Sequence, residues 1–156
     1  MTTPVLPVIR RLGPGDLPAF RAMNAVMEGA FGAVHHSAGN PPDDGYVRRL
    51  LERPEVILLL AEQGGVPVGA LAGYELLKWE QARSEIYIYD LAVLESARQQ
   101  GVATALIDET RAIARERGAW TVFIQADTVP EDEPARRLYR KLASEEITAL
   151  HFDIAP

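Results

Sequence analysis

Between residues 85 and 118 the hydrophobic pattern changes period once, from two to about 3.6, and this change governs what the chain can become. In Glu85-Ile86-Tyr87-Ile88-Tyr89-Asp90-Leu91-Ala92-Val93, Ile86 and Ile88 face one way and Tyr87, Tyr89 and Leu91 the other, as in a strand. After the polar residues 95–100 a helix starts near Gly101. Its apolar positions Ala103, Leu106, Ile107, Thr110, Ile113 and Ala114 trace one stripe, and Gly118 ends it. A strand that empties through a polar loop into a long amphipathic helix places the chain among α/β folds.

The flanking segments fit that class. Residues 5–12, interrupted by Pro7, read as an edge strand. Asp16 is placed to cap a helix with Pro18 in its first turn and Phe20, Met23, Met27 and Phe31 at helical spacing. Residues 32–45 have no period and read as a long irregular binding loop, followed by a short helix over 46–52 that Pro54 closes. Residues 56–61 and 66–77 read as strands joined at Gly64-Gly65, a hairpin signal. A strand over 122–126, a helix with Ala135, Leu138, Tyr139 and Leu142 on one face, and a final strand over 147–154 complete the order. The expected architecture is a mixed, mostly antiparallel twisted sheet flanked by about four helices, in one domain spanning 1–156.

Composition removes several functions. The 156 residues suit one hydrophobic core. Acidic residues outnumber Lys plus Arg by 22 to 16, a net charge of −6, which disfavours a phosphate-backbone partner and suits a cationic small molecule. The absence of Cys excludes disulfides, thiolate metal sites and a cysteine nucleophile. His35 and His36 are adjacent rather than at metal-ligand spacing, and no His-Glu-x-x-His is present, so no metal is expected. No apolar run approaches the ~18 residues of a membrane span, and no signal peptide is read at the start, so a cytoplasmic location is expected.

The most informative stretch is Tyr89-Asp90-Leu91-Ala92-Val93 followed by Arg98-Gln99-Gln100-Gly101-Val102-Ala103. Free amides at a helix N-terminus converge on an anion such as phosphate. Gly101 permits close backbone approach, Ala103 keeps bulk away, and Arg98 adds a charge-assisted contact. An ordinary strand–loop–helix connection, with Gly101 relieving a turn, fits the same residues. The dinucleotide and P-loop glycine patterns are absent.

Arg98-x-x-Gly101-x-Ala103 after Leu91-Ala92-Val93 resembles the acyl-coenzyme A motif of the GNAT N-acetyltransferase superfamily. Leu138-Tyr139-Arg140-Lys141-Leu142 resembles its tyrosine-bearing last helix. The segments 80–93, Val122-Phe123-Ile124-Gln125-Ala126-Asp127 and His151-Phe152-Asp153-Ile154 are similar to the aminoglycoside 3-N-acetyltransferase branch, the gentamicin-resistance enzymes. The likeness runs from about residue 13 to 154 and is weakest over 32–45. It departs at Ala143, where the family usually has Gly; this should alter the helix exit more than the chemistry, because Ala tolerates positive φ poorly.

The resemblance implies a GNAT fold and acetyl transfer from acetyl-CoA to the 3-amino group of an aminoglycoside antibiotic, by direct attack in a ternary complex. It implies that the backbone of Leu91, Ala92 and Val93 holds the pantetheine arm and polarises the thioester, beside Arg98. Gln99, Gln100, Gly101, Val102, Ala103 and Thr104 would cradle the pyrophosphate. It also implies a homodimer paired through the last strands. Tyr139 becomes the acid for the coenzyme A sulfur, since a phenol with pKa near ~10 stays protonated at neutral pH; from periodicity alone it reads as core. Asp90 becomes the group that takes or guides the amine proton, against a structural carboxylate bonded to loop backbone. Glu80, Glu85 and Asp127 with Asp90 would form an acidic cleft, although each alone reads as a solvated charge. Glu131, Asp132 and Glu133 suit a helix N-terminus. Trp79 and Trp120 read as interior or interface residues with sugar stacking as the alternative, and His151 as core or interface. Two other functions fit the residues: acetylation of a polyamine, another amino sugar or a protein amine, and a non-catalytic acyl-CoA sensor.

Overall fold

Gly64 and Gly65, at φ 57° and 79°, take the left-handed conformations of a tight hairpin turn and so set β2 (Val56–Gln63) against β3 (Val66–Leu77). The computed structural model of the chain describes residues 5–32 and 39–156. These form a five-stranded sheet in the order β1-β2-β3-β4-β5. β1 (Val8–Arg11), β2, β3 and β4 (Ser84–Val93) pair antiparallel in succession, and β5 (Thr121–Ile124) pairs parallel with β4. With α1 (Leu17–Phe31), α2 (Asp44–Leu51), α3 (Val102–Arg117) and α4 (Glu133–Leu142), this is the mixed, mostly antiparallel α/β architecture expected. The chain divides into two compact units, Met1–Gln125 and Ala126–Pro156.

In the first unit both faces of the sheet are covered. Ala19, Phe20, Met23, Val26 and Met27 of α1 and Val47 and Leu51 of α2 pack on Leu58, Leu60, Ala70 and Ala72. Gly69, one residue out of phase with Ala70, lies instead against Val102 and Leu106, so α3 covers the opposite face. Leu106, Ile107, Thr110, Ile113 and Ala114 are buried as the stripe requires, and the Thr110 hydroxyl donates to Leu106 O at 3.0 Å. Arg11 ties β1 to α3 through Glu109 and Glu116.

Several expectations need correction. Asp16 sits at the N-cap of α1 but makes no capping bond; its Oδ2 accepts from Gly13 N–H at 2.8 Å and its Oδ1 from Arg10, so both oxygens are engaged outside the helix. The cap is instead found on α2, where Asp43 accepts from Tyr46 N–H at 2.8 Å, so that helix starts earlier than expected. Within the irregular loop over 32–45, residues 33–38, including His35 and His36, lie outside the described residues. β5 stops at Ile124, short of the expected 126. Trp79 is 95% exposed and Trp120 60%, so neither is interior; Arg83 lies 3.8 Å over the Trp120 ring.

The second unit holds a short 3₁₀ turn (Pro130–Asp132) and α4. Ala143 leaves that helix at φ −74°, ψ 141°, an extended exit rather than the left-handed one a glycine would permit. The expected strand over 147–154 does not form. A strand needs a ladder partner for its backbone groups, and this segment pairs with none of the five strands. Its Ile147, Leu150, Phe152 and Ile154 are exposed. His151 is also exposed, with Nε2 2.8 Å from Asp153 Oδ1, so it is not a core residue.

Candidate functional site

β4 is held on one edge and open on the other. It pairs with β3 from Ser84↔Leu77 to Val93↔Gly69, whereas β5 pairs only with Glu85, Ile86, Tyr87 and Ile88. From Tyr89 to Val93 the edge turned away from β3 therefore has no strand partner among the described residues. Within this open stretch the β3 register slips: Ala72 lies opposite Asp90, but Gly73 lies opposite Ile88, leaving Tyr89 as an extra residue. Such a bulge bends its strand and re-aims the neighbouring side chain, here Asp90, which is half-buried. Gly73 accommodates it, since a Cβ there would meet Tyr87 O at 3.0 Å.

The loop after β4 forms a turn suited to an anion. A 3₁₀ turn (Glu95–Ala97) leads to Arg98 in extended conformation, then Gln99 at φ 59° and Gly101 at φ 80°. A left-handed conformation is costly for a non-glycine such as Gln99, whereas Gly101 adopts it freely. The first helical bond of α3 runs from Ala105 N–H to Gly101 O at 2.9 Å, so the amides of Val102, Ala103 and Thr104 have no helical acceptor. Gln100 Nε2 donates to Ser96 O at 2.9 Å and braces the loop, and Arg98 Nε reaches Val93 O at 3.4 Å. The residues expected to contact an acyl carrier, Leu91 to Val93 and Arg98 to Thr104, are thus continuous along the open edge and the turn that follows.

The position of this turn is fixed from beneath by Gly69. A Cβ at Gly69 would stand 2.6 Å from Val102 Cγ1 and 3.3 Å from Leu106 Cδ1 and Ala61 Cβ. Only glycine lets the first turn of α3 press so closely on the sheet.

Other expected residues fall elsewhere. Glu80 lies in the β3–β4 connection and Glu85 near the start of β4, both beside Lys78, at 3.5 and 3.9 Å. Five residues of strand, about 16 Å, separate Glu85 from Asp90, so the structure groups these two with Lys78 rather than with Asp90. In the second unit, Asp127 gives its backbone oxygen to Arg136. Glu133, at the start of α4, binds Arg136 at 2.8 Å and Arg137 at 3.2 Å, which hold its carboxyl below the usual range. Tyr139 is half-buried; burial first, and then the negative charge of Asp132, push its phenol up to about 12. It is therefore protonated at any physiological pH.

Sequence reasoning missed the tyrosines around Asp90. Tyr74 and Tyr89 meet edge to face at 6.1 Å, Tyr87 and Tyr89 at 5.4 Å, and Tyr87 stacks on Phe123 at 4.7 Å. The phenols of Tyr74 and Tyr87 are raised by burial, with the charge of Asp90 adding to both. The Tyr-x-Tyr alternation in 87–89 was visible; that Tyr74 joins it depends on register. Among the described residues no group of three His, Asp or Glu side chains is placed to hold a metal, and no helix is long and apolar enough to cross a membrane.

A strand open along one edge and emptying into three helix amides without helical acceptors is an arrangement suited to an extended anionic ligand. The chain belongs to the GNAT acetyltransferases: the family model "Acetyltransferase (GNAT) family" matches residues 21–143. Acetyltransferases of this family take their acetyl group from acetyl-CoA. The chain is 45% identical to the aminoglycoside acetyltransferase HMB0005 from an uncultured soil metagenomic sample, covering 97% of this chain and 99% of that one with a TM-score of 0.91. It is 28% identical to the aminoglycoside acetyltransferase meta-AAC0020, also from an uncultured soil metagenomic sample and solved with sisomicin (TM-score 0.81, 96% and 97% covered). Aminoglycoside N-acetyltransferase AAC(6')-Iy, solved with CoA, is 19% identical (TM-score 0.75, 96% and 95% covered) and shows the shared fold. A search of curated proteins finds no match.

Proposed function

We propose that this acetyltransferase acts on the 3-amino group of an aminoglycoside by direct attack within a ternary complex, and so confers resistance. The observation that carries the reading is the open β4 edge running into the anion turn, in a chain 45% identical to an aminoglycoside acetyltransferase over 97% of its length. The attacking nitrogen forms a bond to the thioester carbonyl carbon, and its proton passes to Asp90, directly or through water. A backbone N–H of residues 91–93 stabilises the oxyanion as charge develops. The carbon–sulfur bond then breaks and Tyr139 donates its proton to the departing thiolate, yielding an amide and free coenzyme A. Glu80, Glu85 and Asp127 contribute, with the net charge of −6, to a field that draws a polycation inward. No covalent enzyme intermediate is needed, in keeping with a chain that lacks Cys.

The same reading has the enzyme working in the cytoplasm as a homodimer. Its support is the exposed 147–154 segment, where Leu150, Phe152 and Ile154 alternate with His151 and Asp153 as in a strand that awaits a partner. Light scattering at twice 17.1 kDa is the expected result; a particle of 17.1 kDa alone refutes the dimer.

Thiol release from acetyl-CoA, measured with gentamicin and spermidine side by side, tests the acceptor, and NMR of the product locates the new amide. Acetylation of gentamicin at its 3-amino group is expected. Turnover with spermidine alone would replace the aminoglycoside by a polyamine, and tight acetyl-CoA binding with no turnover on any amine would make the protein a sensor.

A further inference from the structure

Three of the chain's five tyrosines stand near one carboxylate, Asp90, and a fourth lies near one of the three. Tyr74 on β3 is in register with Tyr87 on β4, Tyr89 is the bulged residue next to Asp90, and Tyr46 on α2 is close enough to Tyr74 to act on its ionisation. The rings brace one another: Tyr89 meets both Tyr74 and Tyr87 edge-on, Tyr87 lies flat on Phe123 with 4° between planes, and the Tyr87 hydroxyl donates to Gln125 Oε1 at 2.8 Å. Such edge-to-face and stacked contacts fix ring orientation. Yet the rings are not core: Tyr89 is 60% exposed, Tyr46 52% and Tyr74 36%. A rigid row of half-exposed aromatic faces on the surface of a sheet, beside a carboxylate, has no packing purpose.

We infer that Tyr74, Tyr87 and Tyr89 form an aromatic platform that positions the acceptor as a cation, with Asp90 at its edge. Ring faces attract ammonium groups through the quadrupole, and they also accept the C–H face of a sugar ring. An amine reaches the enzyme protonated and must react neutral. The platform holds the acceptor through its neighbouring ammonium groups, which stay charged. The nitrogen that reacts gives its first proton to bulk water before attack and leaves Asp90 to take the proton that the attack releases. The ligand class is therefore a compact polyammonium with an apolar ring face. This rests on the aminoglycoside reading above and names the surface that recognises that substrate. The three tyrosines are positioning residues; they take no proton in the reaction.

The test separates ring from hydroxyl and binding from chemistry. Tyr89→Phe keeps the ring, and Tyr89→Leu keeps only bulk; the site is exposed, so both variants should fold, which circular dichroism verifies. For Tyr89→Leu the KM for gentamicin should rise roughly tenfold, within the usual span of a cation–π contact, with kcat within about twofold and the KM for acetyl-CoA unchanged. Tyr89→Phe should match the native enzyme. An unchanged gentamicin KM in Tyr89→Leu, or equal damage from Phe and Leu, overturns the platform. Should the native enzyme acetylate no aminoglycoside, the acceptor reading fails, and a second measurement still decides the platform. In NMR titration with tetramethylammonium chloride, the methyl resonance should move upfield with the native protein and not with Tyr89→Leu; no shift with the native protein refutes the inference.

Discussion

Gly69→Ala is the sharpest perturbation of the anion turn, because Gly69 lies beneath the turn and acts on it only through the side chain of Val102. The added methyl would lie 2.6 Å from Val102 Cγ1. Relaxed carbon–carbon contacts are about 3.5–4.0 Å, so the overlap is on the order of 1 Å. Val102 cannot swing aside: it is buried, and a β-branched side chain in a helix has one strongly preferred rotamer. The first turn of α3 must therefore lift by about that distance, taking the amides of Val102, Ala103 and Thr104 with it. Overpacking of this kind costs about 1–3 kcal/mol of stability, or roughly 3–9 °C in Tm for a chain of this length. Displaced amides would lose part of the charge-assisted bonds proposed for them with a pyrophosphate, worth about 1.5–3 kcal/mol each, so the Kd for acetyl-CoA should rise at least ~tenfold in calorimetry. Val102→Ala removes the methyl that is struck, so the double variant Gly69→Ala/Val102→Ala should bind more tightly than Gly69→Ala alone, with a coupling of about 1 kcal/mol or more. An unchanged Kd in Gly69→Ala, or a double variant no better than the single one, would refute the close approach of helix and sheet as the device that sets the turn.

Two further outcomes follow from α4. The folded chain keeps the Tyr139 proton to about 12, whereas an unfolded tyrosine ionises near ~10. Between those values the unfolded state has released a proton that the folded state retains, so stability is fully present below about pH 10 and falls as pH rises through 12. The loss is on the order of 3 kcal/mol; urea titrations across this range should show that slope, and Tyr139→Phe should reduce it while lowering kcat by roughly 10²-fold at pH 7.5. Ala143 sits at φ −74°, where glycine offers no relief, so Ala143→Gly should lower stability by about 0.5–1 kcal/mol in urea unfolding; a gain would show that the helix exit favours positive φ.

What could be read from the sequence depended on how local its cause was. The Gly64-Gly65 hairpin, the α3 stripe closed at Gly118 and the Gly101 turn are specified within a few residues, and each stands where expected. Asp90 is legible as a candidate whose role depends on a local bulge, but whether the bulge forms is not, because an extra residue exists only relative to the partner strand that counts one fewer. The early end of β5 is equally relational. Residues 147–154 alternate correctly and still form no strand, since alternation specifies a face and not a partner. The Asp16 cap failed for a nearer reason: Gly13 N–H and Arg10 engage one carboxylate oxygen each. Glu80 and Glu85 read with Asp90 as one acidic cleft, but five residues of extended chain, about 16 Å, lie between Glu85 and Asp90.

The bulge and the open edge lie within the same five residues of β4, and one cause supports both. A strand that loses its partner on one side and gains an extra residue on the other should fray, since each change removes ladder bonds. β4 is held because β3 pairs with it on both sides of the bulge, Gly69 to Ala72 beyond it and Gly73 to Leu77 before it. β3 is in turn anchored by β2 along Val56 to Gln63, whose Leu59, Leu60 and Ala61 are almost wholly buried. The sheet thus holds the Tyr89–Val93 stretch of β4 from the β3 side and leaves its other edge without a strand partner among the described residues, where the proposed thioester would lie. Backbone donors fixed in this way need no reorganisation when charge develops on a carbonyl oxygen, which is the condition under which a hydrogen bond contributes most to a rate. The chemistry can then proceed without a nucleophile on the enzyme, provided that the amine is delivered neutral beside Asp90.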